Sequence, residues 1–178
     1  MSFIYEPSDD SYLLSKVLEK EIPALLEKNP TLNFLEMGCG SGIQLKKAKE
    51  LGVKNILGVD LNEDAINHCK DLKFNTFKSN LFERIKEQFD LIIFNPPYLP
   101  IQEGEDNESQ IATTGGKKGS EIINKFLIQA KDHLNKNGII LLLTSSLTKE
   151  INWLNFKKEL VAEKKLFMEE LFVWKLKA

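Results

Sequence analysis

Cysteine and histidine are scarce in this chain, two of each among 178 residues. Cys39 and Cys69 show no C-x-x-C spacing and His68 and His133 stand isolated, so the sequence indicates neither a disulfide framework nor a metal centre. An excess of one charge is also missing. Basic residues number 24 and acidic ones 26, for a net charge of -2 and a pI near 5.8. That is not the balance of a strongly basic nucleic-acid binder, although a local patch can outweigh the total. No basic-then-apolar leader opens the sequence and no apolar run is long enough to span a bilayer, which makes a reducing, cytoplasmic location the default expectation. Repeats, linkers and low-complexity tracts are absent as well. What is present, 42% hydrophobic and 28% charged residues, suits one globular domain over residues 1–178 with a sizeable core.

Short apolar runs alternate with helical patterns. The strands expected are NFLEM, NILGVD, FNTFK, the run over 89–94, IILLLTS and two more near the C-terminus. Between them, helices are expected over SYLLSKVLEKEIPALLEK (broken or restarted by Pro23), GIQLKKAKELG, NEDAINHCKDL, SEIINKFLIQAKDHLNK and residues 150–160. Strands separated by crossover helices argue for an α/β fold, a mostly parallel sheet with helices on both faces. Right-handed crossovers then make it doubly wound.

Sheets of this kind bind ligands beyond the carboxyl ends of their strands, at the switch point. The first strand ends in LEMGCGSG, where Gly38, Gly40 and Gly42 permit a sharp turn and close backbone approach. A dinucleotide fingerprint would need glycine at position 43, which is Ile43. Glu36, just before the turn, suits an ammonium group and not a phosphate. The second strand ends in GVD, placing Asp60, followed by Leu61, where a carboxylate can accept hydrogen bonds from ribose hydroxyls. S-adenosyl-L-methionine combines a ribose with a charged amino-acid tail and carries no phosphate.

The strand over 89–94 runs into Asn95, Pro96, Pro97 and Tyr98. Prolines stop both ladder and helix, and they push the residue before them to extended geometry. This can aim the Asn95 side-chain oxygen and the Pro96 carbonyl into the cleft as two fixed acceptors. Two acceptors hold the two N–H bonds of a planar NH2 group, while Pro97 and the flat face of Tyr98 offer packing for its carrier. The expectation is nitrogen methylation by positioning.

NPPY together with LEMGCGSG and GVD resembles the seven-strand, Rossmann-like methyltransferases that act on exocyclic or amide nitrogens. YEPSDDSYLL (residues 5–14) and GGKKGSEIINKF (residues 115–126) are similar to segments of the short archaeal and eukaryotic HemK-like protein methyltransferases. The resemblance implies methylation of the glutamine in the GGQ motif of a class I translation release factor. It implies cofactor contacts at Ser11, Glu36, Gly38, Asp60, Asn80, Leu81 and Asn95. It also implies a small zinc-binding activator subunit adding a strand beside FNTFK, at the border of the sheet, to give a heterodimer whose metal belongs to the partner. Bacterial members carry an additional N-terminal helical domain, and the motif starting at Tyr5 leads to the expectation that it is missing here. Two departures stand out: Asn80 replaces a common aspartate, and Thr113 stands where the family usually has tryptophan.

Residues 99–118 exceed the roughly 12–15 residues usual for a structureless connection, which suggests a substrate-gating loop. Other readings stay open at this point. Adenine or guanine amino methylation of nucleic acid would use the same acceptor pair, against which stand the small size and acidic balance. Lysine methylation and a catalytically silent cofactor-binding subunit are two more, the intact NPPY arguing against the latter.

Overall fold

The structure, a computed structural model, describes residues 4–101 and 114–178. Most of the loop expected to gate substrate, including Thr113, lies outside the described residues. The elements are α1 (Asp9–Lys28), β1 (Asn33–Met37), α2 (Ile43–Glu50), β2 (Asn55–Asp60), α3 (Glu63–Asp71), β3 (Asn75–Lys78), β4 (Phe89–Phe94), α4 (Glu121–Ala130), β5 (Leu134–Ser145), β6 (Lys157–Lys165) and β7 (Glu170–Lys177). The seven strands form one sheet in the order β3-β2-β1-β4-β5-β7-β6. The first five are parallel to their neighbours, and β7 runs antiparallel between β5 and β6.

Strands with both faces covered read as continuous apolar runs, and side-chain alternation divides them between two cores. Phe34, Leu91, Ile93, Ile139 and Leu141 pack with Leu14, Leu18, Leu45 and Ile66 from α1, α2 and α3. Leu35, Ile92, Phe94, Ile140 and Leu142 pack instead with Ile123, Phe126 and Leu127 of α4. Helix α1 continues through Pro23. The donor lost there would have met the carbonyl of exposed Glu19, on the solvent side of a helix held by its buried face.

Two expected elements differ. The helical pattern starting at Ser120 ends at Ala130, and a short 3-10 turn (Lys131–His133) leads into β5 at Leu134, which pairs with Phe89. No helix forms over 150–160. Glu150 and Leu154 have positive φ (59° and 50°), and Lys157–Lys165 is a strand paired along β7. KKELVAEKK is rich in helix formers, but ladder bonds to β7 and the Lys158 ammonium over the rings of Trp153 (4.6 Å) and Trp174 (5.0 Å) favour the strand.

Beyond β4 the chain lies against residues 114–119. Gly115 N–H donates to Leu99 O (2.9 Å), Ile101 N–H to Gly116 O (3.0 Å), and Thr148 Oγ1 to Tyr98 O (2.9 Å). A Cβ on Gly115 would collide with the Pro97 carbonyl oxygen, and one on Gly119 with that of Tyr98, both closer than 3.0 Å to backbone. Gly119 also has φ +79°. The GGKKG stretch is therefore the seat that fixes the NPPY segment. Gly119→Ala should destabilise the protein by about 2 kcal/mol, through a backbone clash and left-handed strain. Differential scanning calorimetry should register a drop of about 4–8 °C in Tm.

Candidate active site

Strands β1, β2 and β4 end on the same edge of the sheet, and β1 lies between the other two. That junction is where chain direction across the sheet reverses, and a crevice opens there. Its volume is about 1130 Å³, and its walls include Ser11, Glu36, Gly38, Gly40, Asp60, Leu61, Asn80, Leu81, Asn95, Pro96, Pro97 and Tyr98. Every residue singled out from the sequence as a binding or catalytic candidate is thus brought to one cleft.

On the β1–β3 side, the glycine turn places positive φ angles at Gly38, Gly40 and Gly42. A side chain on Gly40 would point into open space, so the turn offers bare backbone to the cleft. Asp60 accepts hydrogen bonds from Gly40 N (2.9 Å) and Asn62 N (2.8 Å), which fixes both carboxylate oxygens at the floor. Burial raises its pKa, with those amides pulling the other way. Glu36 is buried, and its Oε2 has no hydrogen-bond partner. Burial, then the neighbouring Cys69 and Asp60, pushes its carboxyl well above the ordinary range, opposed by a backbone N–H from Leu45. The Asn80 amide nitrogen donates to Glu83 Oε1 (2.8 Å), so its oxygen is left to accept, as an aspartate would. Leu61 is 59% exposed and Leu81 is held at φ 50°; they supply apolar edges.

On the β4 side, one carboxylate organises the rest. Asp10 is buried in the first turn of α1, and its Oδ2 accepts from Asn95 Nδ2 (3.0 Å), Tyr5 OH (3.0 Å) and Tyr98 OH (3.5 Å). Its Oδ1 accepts from the backbone N–H and the Oγ of Ser11. A carboxylate oxygen attracts the amide nitrogen of Asn95 and repels its oxygen, so the amide can take only one orientation. The Asn95 Oδ1 is buried without a hydrogen-bond partner. Burial, with the Asp10 charge next, pushes the phenols of Tyr5 and Tyr98 far above their usual value, which keeps both as O–H donors.

Among the described residues, the two buried side-chain oxygens without partners are these on Glu36 and Asn95. Buried polar groups are nearly always paired, so each points to a ligand hydrogen. The donor set fits S-adenosyl-L-methionine: a buried carboxyl that an ammonium would ionise and pair with, a carboxylate for ribose hydroxyls, apolar edges and an amide oxygen for an adenine. The wall is strongly acidic, with Asp9, Asp10, Glu36, Asp60, Glu63, Glu83 and Glu169 against Lys78 and Lys125. Such a field attracts cations and repels a phosphate chain.

Sequence reasoning missed Asp10 and Tyr5. Both fall in YEPSDDSYLL, where the Asp9–Asp10 pair reads as ordinary helix N-terminal charge. Only the fold shows which aspartate turns inward. His133 stacks on Phe82 at 4.5 Å, and Cys39 and Cys69 are buried free thiols beneath the glycine turn.

Comparison with known proteins agrees with this chemistry. The family model described as methyltransferase small domain matches residues 11–167. A putative protein N5-glutamine methyltransferase of Methanocaldococcus jannaschii is 38% identical over 190 residues, covering 97% of this chain and 92% of that protein. The eRF1 methyltransferase catalytic subunit mtq2 of Schizosaccharomyces pombe is 31% identical over 76% of this chain and 70% of its own length. In fold, the chain matches the Mtq2 structure from the E. cuniculi Mtq2–Trm112 complex responsible for methylation of the eRF1 translation termination factor. The TM-score is 0.75 at 23% identity, over 99% of this chain and 98% of that one.

Glu36 gives the site a signed pH dependence. Its folded pKa lies above the unfolded value, so its stabilising contribution is complete below the ordinary carboxylate range. That contribution is lost as pH rises through the elevated folded value. Glu36→Gln should therefore melt at or above the wild type at neutral pH in the absence of ligand. Calorimetric affinity for S-adenosyl-L-methionine should nonetheless fall about tenfold or more, because a charge-assisted bond is lost. A variant that melts lower and binds normally would show that Glu36 is structural.

Proposed function

The chain belongs to the methyltransferase small-domain family, and on that premise we propose that it methylates the side-chain amide nitrogen of the glutamine in the GGQ motif of a class I translation release factor. S-adenosyl-L-methionine is the methyl donor and supplies, when bound, a sulfonium-activated methyl group. Glu36 would hold its ammonium, Asp60 its ribose, and Asn80 with Leu61 and Leu81 its adenine, while Ser11, Gly38 and Gly40 shape the floor.

The observation that carries the reading is the Asn95 side-chain oxygen, buried, without a partner and turned away from Asp10. An oxygen held in this way accepts one N–H of a planar amide, and the Pro96 carbonyl is positioned by sequence to accept the other. An amide nitrogen is a poor nucleophile because its lone pair is delocalised. The residues therefore contribute orientation and fixed dipoles, with no group needed to ionise the substrate. The tyrosine hydroxyls of Tyr5 and Tyr98 hold Asp10 and, through it, the amide. Pro97 and the Tyr98 ring line the place where the substrate amide enters.

The acidic wall favours this target over the alternatives. A nucleic acid would bring phosphates toward seven carboxylates. A lysine would be kept protonated there, without a lone pair to attack. A neutral glutamine amide meets neither obstacle. The whole chain would act as a single domain in the cytoplasm, where translation takes place; among the described residues no helix is long and apolar enough to cross a membrane.

The reading includes a partner. Among the described residues, strand β3 has four residues, stands at the border of the sheet and pairs only with β2. Phe77 in the strand and Phe74 just before it are both partly buried against the two cores. Phe74 packs on the α1–α3 core and Phe77 on the other, with Lys49 and Arg84 over their rings. The unpaired backbone edge is what a small zinc-binding activator subunit would extend by strand addition. Co-expression with such a subunit should give a co-eluting heterodimer of higher specific activity, and unchanged activity of a stable monomer would remove the partner from the scheme.

Two substitutions test the chemistry. Asn95→Ala should retain cofactor binding by calorimetry while methyl transfer to the release factor falls about 10²-fold or more. Asp10→Asn should lower turnover less, because an amide at that position no longer dictates which way the Asn95 amide faces. Near-normal turnover of both variants would overturn the mechanism.

A further inference from the structure

Strands β6 and β7 are joined by a tight turn in which Leu166 N–H donates to Glu169 O (2.8 Å), leaving Phe167 and Met168 at the tip. Phe167 is 98% exposed and Met168 77%, more than any other large hydrophobic residue described. Isolated exposed apolar side chains need no explanation, but two adjacent ones at a braced tip do. The brace is extensive. Ser145 Oγ donates to Glu169 Oε2 (2.5 Å), Ser146 N–H to Glu170 O (2.8 Å), and Glu170 N–H to Ser146 Oγ (2.9 Å). Lys164, in the same hairpin, pairs with Asp9 at 2.7 Å. The tip is thus tied to the end of β5 and to the start of α1.

Its location indicates what it meets. β7 enters the sheet opposite the end of β5, with Leu171 paired to Ser145, so the turn projects past the same edge as Asn95. Leu166, Glu169 and Leu171, on either side of the tip, line the cleft that holds Asn95 and Tyr98. The tip is also at the opposite end of the sheet from β3, out of reach of a subunit added there.

Building on the substrate reading above, we propose that Phe167 and Met168 are the docking anchor for the protein substrate, gripping the polypeptide beside the glutamine presented to Asn95. A second copy of this chain is the poorer occupant. Two side chains are a small part of the roughly 1,200–2,000 Å² that a stable dimer buries, while a transient enzyme–substrate contact functions with less. An aromatic and a methionine on a rigid support match what anchors such contacts, and methionine adapts to irregular surfaces.

The test is steady-state kinetics of the wild type and the Phe167→Ala/Met168→Ala variant on an intact release factor, with cofactor affinity, Tm and light-scattering mass measured alongside. The variant should raise KM about tenfold or more at unchanged kcat, with cofactor affinity and Tm unmoved, and Phe167→Leu should recover most of the loss. An unchanged KM in an active enzyme overturns the anchor and leaves the glutamine reading intact. So does a change in oligomeric mass with KM unaltered, which would identify the tip as a self-association surface. A wild type that methylates no release factor defeats the glutamine reading itself, and the anchor with it.

Discussion

One oxygen of one carboxylate, Asp10 Oδ2, takes hydrogens from Tyr5, Asn95 and Tyr98, and the β4 half of the site is arranged around it. The chain of bonds does not stop there. Ser11, which donates to the other Asp10 oxygen, has its carbonyl held by Gln44 Nε2 (2.7 Å) and Ser15 Oγ (3.0 Å). Gln44 belongs to α2, which starts directly after the glycine turn. A continuous buried polar network thus runs from the cofactor side to the substrate side through the first turn of α1. Networks of this type rigidify a site when all members are satisfied, and here the member left unsatisfied faces the substrate.

The same economy applies to charge. Carboxylates gathered in a cleft repel one another, and burying Glu36 costs stability that a hydrophobic replacement would return. Function accounts for the arrangement, because a sulfonium and an ammonium can neutralise it on binding. The acidic wall therefore works as a filter. It selects a cationic cofactor and a neutral acceptor, and it tells against phosphates without any residue dedicated to excluding them.

Much of this was legible from the residues. The strand ends LEMGCGSG, GVD and NPPY each join a run of β-formers to glycine, aspartate or proline, and such junctions survive folding because local stereochemistry enforces them. Hence Glu36, Asp60 and Asn95 were found together where they were expected. Asp10 was not legible, because its partners Asn95 and Tyr98 are distant in sequence and helix N-terminal acids look alike. The stretch over 150–160 misled for the opposite reason: its local preference is helical, and pairing with β7 overrides it. What failed in each case was information about long-range partners.

The position of β7 has a consequence for how the molecule is made. β5 is long and buried from Gly138 to Ser145, and among the described residues β6 joins the sheet only through β7. A ribosome delivers β5 and β6 before β7 exists. Until then the apolar edge of β5 is bare, and Lys157–Lys165 has no ladder to join. The Lys164–Asp9 and Lys175–Glu21 ion pairs that tie the hairpin to α1 also wait for this step. The β6–β7 hairpin completes the sheet by laying β7 along the β5 edge. Until β7 covers it, the β5 edge is an unpaired strand edge of the kind that other polypeptides can join.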